Sequence, residues 1–174
     1  MLRELRPAGA AQRFGSAISA PARSTPPPGS PIDCELVTSE TTIRVVLADD
    51  DARVRETLRD LLAEHPDIEV VSEAADGRAA LERAGEFEPA LVLMDVVMSG
   101  MGGIEATHLL RAALPSVKVI ALSLHEDRQF VAAMRAAGAS GYLLKDRVHE
   151  ELARALRGVA AGGTWWVSGT EAPG

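Results

Sequence analysis

From Thr42 onward the sequence alternates short β-branched or apolar runs with longer stretches of helical period, and it completes five such rounds. Ile43 to Ala48 (IRVVLA) precedes Val54, Leu58, Leu61 and Leu62 at helical spacing, a stretch that His65-Pro66 ends. Ile68 to Ser72 precedes Gly77 to Gly85, and Ala90 to Met94 precedes Ile104 to Leu114, which Pro115 stops. Val117 to Leu122 precedes Asp127 to Ala137, closed by Gly138, and Ser140 to Leu144 precedes Arg147 to Ala161, closed by Gly162-Gly163. Strands apolar on both sides, alternating with helices, predict an α/β fold: a parallel sheet covered by helices on both faces. The LVLM run from Leu91 belongs at the centre of that sheet, and the strand carrying Glu69 and Glu73 suits an edge.

In open sheets of this kind the site lies outside the carboxyl ends of the strands. Those ends carry Asp49, Asp50 and Asp51 after the first strand, Asp95 after the third, Ser123 after the fourth and Lys145 after the fifth. A phosphate or dinucleotide site would place glycine-rich amides after the first strand, whereas three aspartates repel phosphate. Clustered carboxylates suit a hard cation, and Mg²⁺ takes one or two of them together with waters and a phosphoryl oxygen. Asp51 is expected to cap the following helix, which leaves Asp49 and Asp50 as metal ligands. Asp95 interrupts an apolar strand, where an unpaired carboxylate is costly. A carboxylate beside a divalent cation is a nucleophile toward phosphorus, and the Lys145 ammonium and Ser123 hydroxyl would then meet the phosphoryl oxygens. Taken singly, Lys145 also reads as a solvated lysine and Ser123 as an ordinary loop or capping serine.

Composition narrows the field further. The 174 residues are 47% apolar and 25% charged, enough to bury one core, and with 3% aromatics that core is aliphatic. A net charge of −7 argues against direct binding of nucleic acid or an anionic membrane surface, and no apolar run approaches a membrane span. Cys34 is the single cysteine, which precludes an intramolecular disulfide and fits a cytoplasmic location. Of 18 basic residues only Lys118 and Lys145 are lysine. Six of the ten prolines precede Asp33, and RSTPPPGSP (23–31) has no periodicity. Residues 1–41 are therefore expected as a disordered extension, 42–162 as the domain and 163–174 as a short tail.

The segments LADDD (47–51), LVLMDVVMSGMGG (91–103), VIALS (119–123) and GYLLKD (141–146) resemble, in order and spacing, the receiver domain of two-component response regulators. With GASGYLLKD and a final GGTWW, the chain is most similar to the NarL/FixJ type, and the resemblance runs from about Ile43 to Trp165. It implies a flavodoxin-like (CheY-like) doubly wound (βα)5 fold with strand order 2-1-3-4-5. It further implies Asp95 as phosphoacceptor, and Asp49, Asp50, Asp95 and the Val97 backbone carbonyl as the Mg²⁺ site. Ser123 corresponds to the switch hydroxyl, Tyr142 to the rotating aromatic and Lys145 to the phosphate-contacting ammonium. The implied phosphodonor is a sensor histidine kinase, and the face from Asp127 to Ala161 would select a partner or a second copy of the chain.

Some positions depart from the family pattern. Ser99 stands where proline is common and Gly102 where aspartate is, so Gly100, Gly102 and Gly103 would loosen one loop. Leu124 replaces a small residue and would narrow access to the phosphoryl group, while Val97 and His125 occupy positions that tune its hydrolysis. Too few residues follow the last helix for the LuxR-type helix-turn-helix, so the expectation is a receiver without its output domain, natural or truncated. An aspartate-nucleophile phosphohydrolase, similar to haloacid dehalogenases, would need a second acid two residues after Asp95, where Val97 stands. A phosphate-independent scaffold would have lost acidic or lysine positions, and none is lost. The expectation is a switch that is not an enzyme beyond its own phosphorylation and dephosphorylation.

Overall fold

All five apolar runs form strands: β1 (Ile43–Ala48), β2 (Ile68–Ala74), β3 (Leu91–Asp95), β4 (Lys118–Ser123) and β5 (Gly141–Leu144). The computed structural model describes residues 42–167, so the expectations for 1–41 and 168–174 lie outside the described residues. Between and after the strands run α1 (Ala52–Ala63), α2 (Gly77–Phe87), α3 (Gly103–Ala113), α4 (Arg128–Ala136) and α5 (Val148–Ala160), the last entered through a 3-10 turn at Lys145–Arg147. The strands pair in parallel in the order β2-β1-β3-β4-β5, the expected one. β3 is central and every one of its residues is buried.

Alternate strand residues face opposite sides of the sheet, which is why both sets must be apolar. Val45, Leu47, Leu93, Ile120 and Leu122 pack with Leu58 and Leu62 of α1 and with Leu152, Leu156 and Val159 of α5. Val46, Val92, Met94, Val119 and Tyr142 pack with Ala80 of α2, Leu110 of α3 and Met134 of α4. Truncating a fully buried leucine such as Leu93 to alanine costs about 2–5 kcal/mol in such a core. Three helices start on aspartate caps: Asp51, Asp76 and Asp127 accept from the backbone N–H of Arg53, Ala79 and Gln129.

Two elements run on two residues past the sequence reading. β2 runs on to Ala74, and its register against β1 slips between Val45 and Val46, leaving Val71 as an extra residue. Across the bulge Ile68 and Val70 face one core but Ala74 the other, which breaks the period-2 pattern. α2 runs through Gly85 to Phe87, and its left-handed cap is Glu88 (φ 45°), just before Pro89. On the β2 edge, Glu73 holds Arg55 at 3.1 Å and Arg59 at 3.0 Å. At the opposite edge Trp165 forms a parallel bridge with Gly141. Among the described residues no helix is long and apolar enough to cross a membrane.

Candidate functional site

The site is assembled where β1, β3 and β5 end. Asp49 leaves β1 with its N–H bonded to the Ala74 carbonyl (3.1 Å), and its Oδ1 accepts the Asp51 N–H at 3.0 Å. Arg55, one turn into α1, donates to the Asp49 carbonyl at 2.7 Å while holding Glu73. Asp50 points out to solvent, where its Oδ2 accepts the Ser99 N–H at 3.0 Å and so ties the β1 loop to the β3 loop. Asp95 closes β3 and is 6% exposed. The Val97 backbone N–H bonds the Asp95 carboxylate, while the Val97 side chain is 62% exposed. Of the glycines expected to loosen this loop, Gly103 is held: its N–H donates to the Val96 carbonyl at 3.1 Å, and a Cβ there would collide with the Asp95 carbonyl oxygen.

Lys145, carried by the turn after β5, bridges the two buried acids. Its Nζ lies 2.6 Å from Asp49 Oδ2 and 3.2 Å from Asp95 Oδ1. Burial works against the ammonium, but the hydrogen bond from Lys145 to Asp49 and the charges of Asp95 and Asp49 outweigh it and hold Lys145 above its ordinary range. Burial also pushes the Asp95 carboxyl up; the Lys145 charge opposes that shift, and the neighbouring Asp49 charge adds to it.

Oxygens of Asp49, Asp50 and Asp95 lie within 4.8 Å of one another. Among the described residues one ammonium meets this three-carboxylate cluster, and the buried Asp49 Oδ2 has no hydrogen-bond donor beyond its ion pair with Lys145. Oxygen donors, unbalanced negative charge and one solvent-facing ligand fit a hard divalent cation that keeps part of its water shell.

Ser123 stands one residue beyond Leu122, the register partner of Asp95. Its Oγ accepts the His125 N–H at 3.1 Å. The Tyr142 phenol, fully buried, donates to the His125 carbonyl at 2.9 Å, so Ser123 and Tyr142 both bond the backbone of His125. Burial raises the Tyr142 pKa, with Ser123 pulling against it. The structure thus gathers Asp49, Asp50, Asp95 and Lys145 into one cluster and joins Ser123 to Tyr142 through the β4–α4 loop beside it. Sequence reasoning missed Arg55 and the His125 backbone. The former left a faint signal as a cation one turn past the capping aspartate; the latter left none.

The response regulator receiver domain model matches residues 45–157. Transcriptional regulatory protein DegU of Brevibacillus brevis is 39% identical over 127 residues, which cover 73% of this chain and 54% of DegU. The chain therefore spans about half the length of that relative. A two-component response regulator of the LuxR family from Aurantimonas sp. superposes with a TM-score of 0.71 at 35% identity, covering 74% of this chain and 92% of that one. The signal receiver domain of the response regulator NarL from Mycobacterium tuberculosis gives 0.67 at 34% identity, over 70% of this chain and 98% of that one. With the strand order, the acid cluster and these matches in agreement, the chain belongs to the response regulator receiver family of two-component systems.

Proposed function

We propose that this receiver acts in the cytoplasm and is switched by a phosphoryl group carried on Asp95, with Asp49, Asp50, Asp95 and the Val97 carbonyl holding Mg²⁺ and a sensor histidine kinase as donor. The carrying observation is the position of Asp95: an Asp95 oxygen lies 3.2 Å from the Lys145 ammonium, inside an acid cluster that is short of positive charge. In the transfer, an Asp95 carboxylate oxygen forms the bond to phosphorus as the bond from phosphorus to the donor's imidazole nitrogen breaks, and that nitrogen keeps the electron pair. Mg²⁺, when bound, offsets the charge of the acids and of the incoming phosphoryl oxygens. Lys145 supplies a fixed positive charge to the phosphoryl oxygens, and Ser123 a hydroxyl that turns toward them. The face formed by α4, β5 and α5 then changes its affinity for a partner or a second copy of the chain. Hydrolysis of phosphomonoesters is disfavoured, because two residues past Asp95 the exposed Val97 side chain offers no proton to a leaving group. Incubation with acetyl phosphate tests the reading: one phosphoryl group per chain by intact mass, requiring Mg²⁺ and weakened in Asp50→Ala, supports it. Labelling indifferent to Mg²⁺ contradicts it.

A further inference from the structure

The loop between β3 and α3 carries Gly100, Gly102 and Gly103, yet hydrogen bonds pin it along its length. The Gly103 N–H closes it at the base by donating to the Val96 carbonyl at 3.1 Å. The Met101 carbonyl accepts the Gly77 N–H at 3.1 Å, which fastens the loop to the first residue of α2. A Cβ on Gly77 would come within 2.6 Å of the Met101 carbonyl oxygen, so that contact admits no side chain. Between these ties the chain turns at Gly100, whose φ of 74° is costly for any residue with a Cβ. The remaining tie is the Ser99 N–H, 3.0 Å from Asp50 Oδ2, and it alone reaches an acid of the site from this part of the loop.

Asp50 is the acid of the cluster that faces solvent, and among the described residues the Ser99 N–H is the one donor to its carboxylate. Lys145 is engaged with Asp49 and Asp95. An exposed aspartate with no such partner samples several staggered rotamers. Here Oδ2 is turned to the β3 loop, and Oδ1 carries no bond to the described protein. A hydrogen bond to one oxygen of a metal-binding carboxylate fixes the direction of the other in advance, so that less order is lost on binding. We propose that Ser99, through its backbone N–H, is a positioning residue that holds Asp50 ready for Mg²⁺ opposite Asp95. The proposal rests on the Mg²⁺ reading above. Ser99 acts through Asp50, and its hydroxyl has no part in the effect.

The backbone donor can be separated from the side chain, because Ser99→Pro removes the N–H whereas Ser99→Ala removes only the hydroxyl. Mg²⁺ binding to the full chain is measured by calorimetry. Ser99→Pro should bind about three- to tenfold more weakly than the parent, the effect of one hydrogen bond to a solvent-facing carboxylate, and Ser99→Ala should stay within about twofold of it. Equal or tighter binding by Ser99→Pro, or an equal loss in Ser99→Ala, overturns the positioning role and leaves the Mg²⁺ reading intact; no binding by the parent overturns both. In an Asp50→Ala background Ser99→Pro should change the affinity no further, and a further loss overturns the route through Asp50. A second measurement holds whether or not Ser99→Pro folds. With Mg²⁺ chelated, the Ser99 amide should exchange with water about three- to tenfold faster in Asp50→Ala than in the parent by NMR, and equal rates overturn the tie.

Discussion

Replacing Lys145 with methionine keeps the length of the side chain and removes its charge, leaving Asp49 (1% exposed) and Asp95 (6% exposed) facing each other. At an effective dielectric constant of about 20, contacts of 2.6 and 3.2 Å correspond to about 6 and about 5 kcal/mol of gross attraction. Most of that is offset by the desolvation of three charged groups. Breaking one partner out of a buried pair typically costs about 3–5 kcal/mol, and the lower end applies because Lys145 retains 13% exposure. With urea slopes of roughly 1–3 kcal/mol per M, a loss of about 3 kcal/mol lowers the unfolding midpoint by roughly 1–3 M at neutral pH. The pH dependence has a definite sign. Asp95 already lies above its ordinary 3.8, and losing the ammonium moves it higher. A carboxyl raised in the folded state carries no penalty while both states are protonated, and the penalty grows as pH rises from the ordinary value through the folded one. The deficit of Lys145→Met should therefore shrink toward about pH 4 and grow as pH rises through the raised Asp95 pKa. Added Mg²⁺ should stabilise the variant more than the parent, since the cluster has lost its internal counter-charge. A variant as stable as the parent at pH 8, with no narrowing on acidification, would refute the electrostatic account of the site.

Asp95→Asn should be more stable than the parent at neutral pH by about 1 kcal/mol, because it removes a carboxylate that burial disfavours; in urea unfolding the gap should close as pH falls below the raised Asp95 pKa. Arg55→Ala removes the guanidinium that joins the Asp49 carbonyl to Glu73, and should cost about 1–2 kcal/mol by urea unfolding while weakening Mg²⁺ binding by calorimetry. Gly103→Ala puts a methyl group into the Asp95 carbonyl oxygen and should cost about 1–3 kcal/mol, with slower labelling by acetyl phosphate because the Asp95 peptide is displaced.

The acids and Lys145 were legible in the sequence because each ends a strand, and a parallel sheet sends every strand end to the same rim. The central place of β3 was legible because LVLM is apolar on both sides. The β2 bulge was not, since one extra residue at Val71 changes sidedness without changing composition. The end of α2 was misplaced at Gly85 because glycine fits a helix interior as well as a cap, and the left-handed position fell to Glu88. Arg55 escaped notice because its partners are the Asp49 carbonyl and Glu73, a backbone atom and a residue 18 positions on. Trp165 and Trp166 were read as the end of a motif, and their contact with β5 arises only after α5 turns the chain back over the sheet edge.

The account turns on Asp95 as the residue that carries phosphorus. Borohydride reduces an acyl phosphate but leaves free carboxylates, so trapping the protein after incubation with acetyl phosphate and Mg²⁺, then sequencing its peptides by mass spectrometry, locates the acceptor. The reduced residue should be at position 95 alone, and it should be absent from Asp95→Asn. Reduction at another aspartate in the parent protein, or persistent labelling of Asp95→Asn, would contradict the assignment.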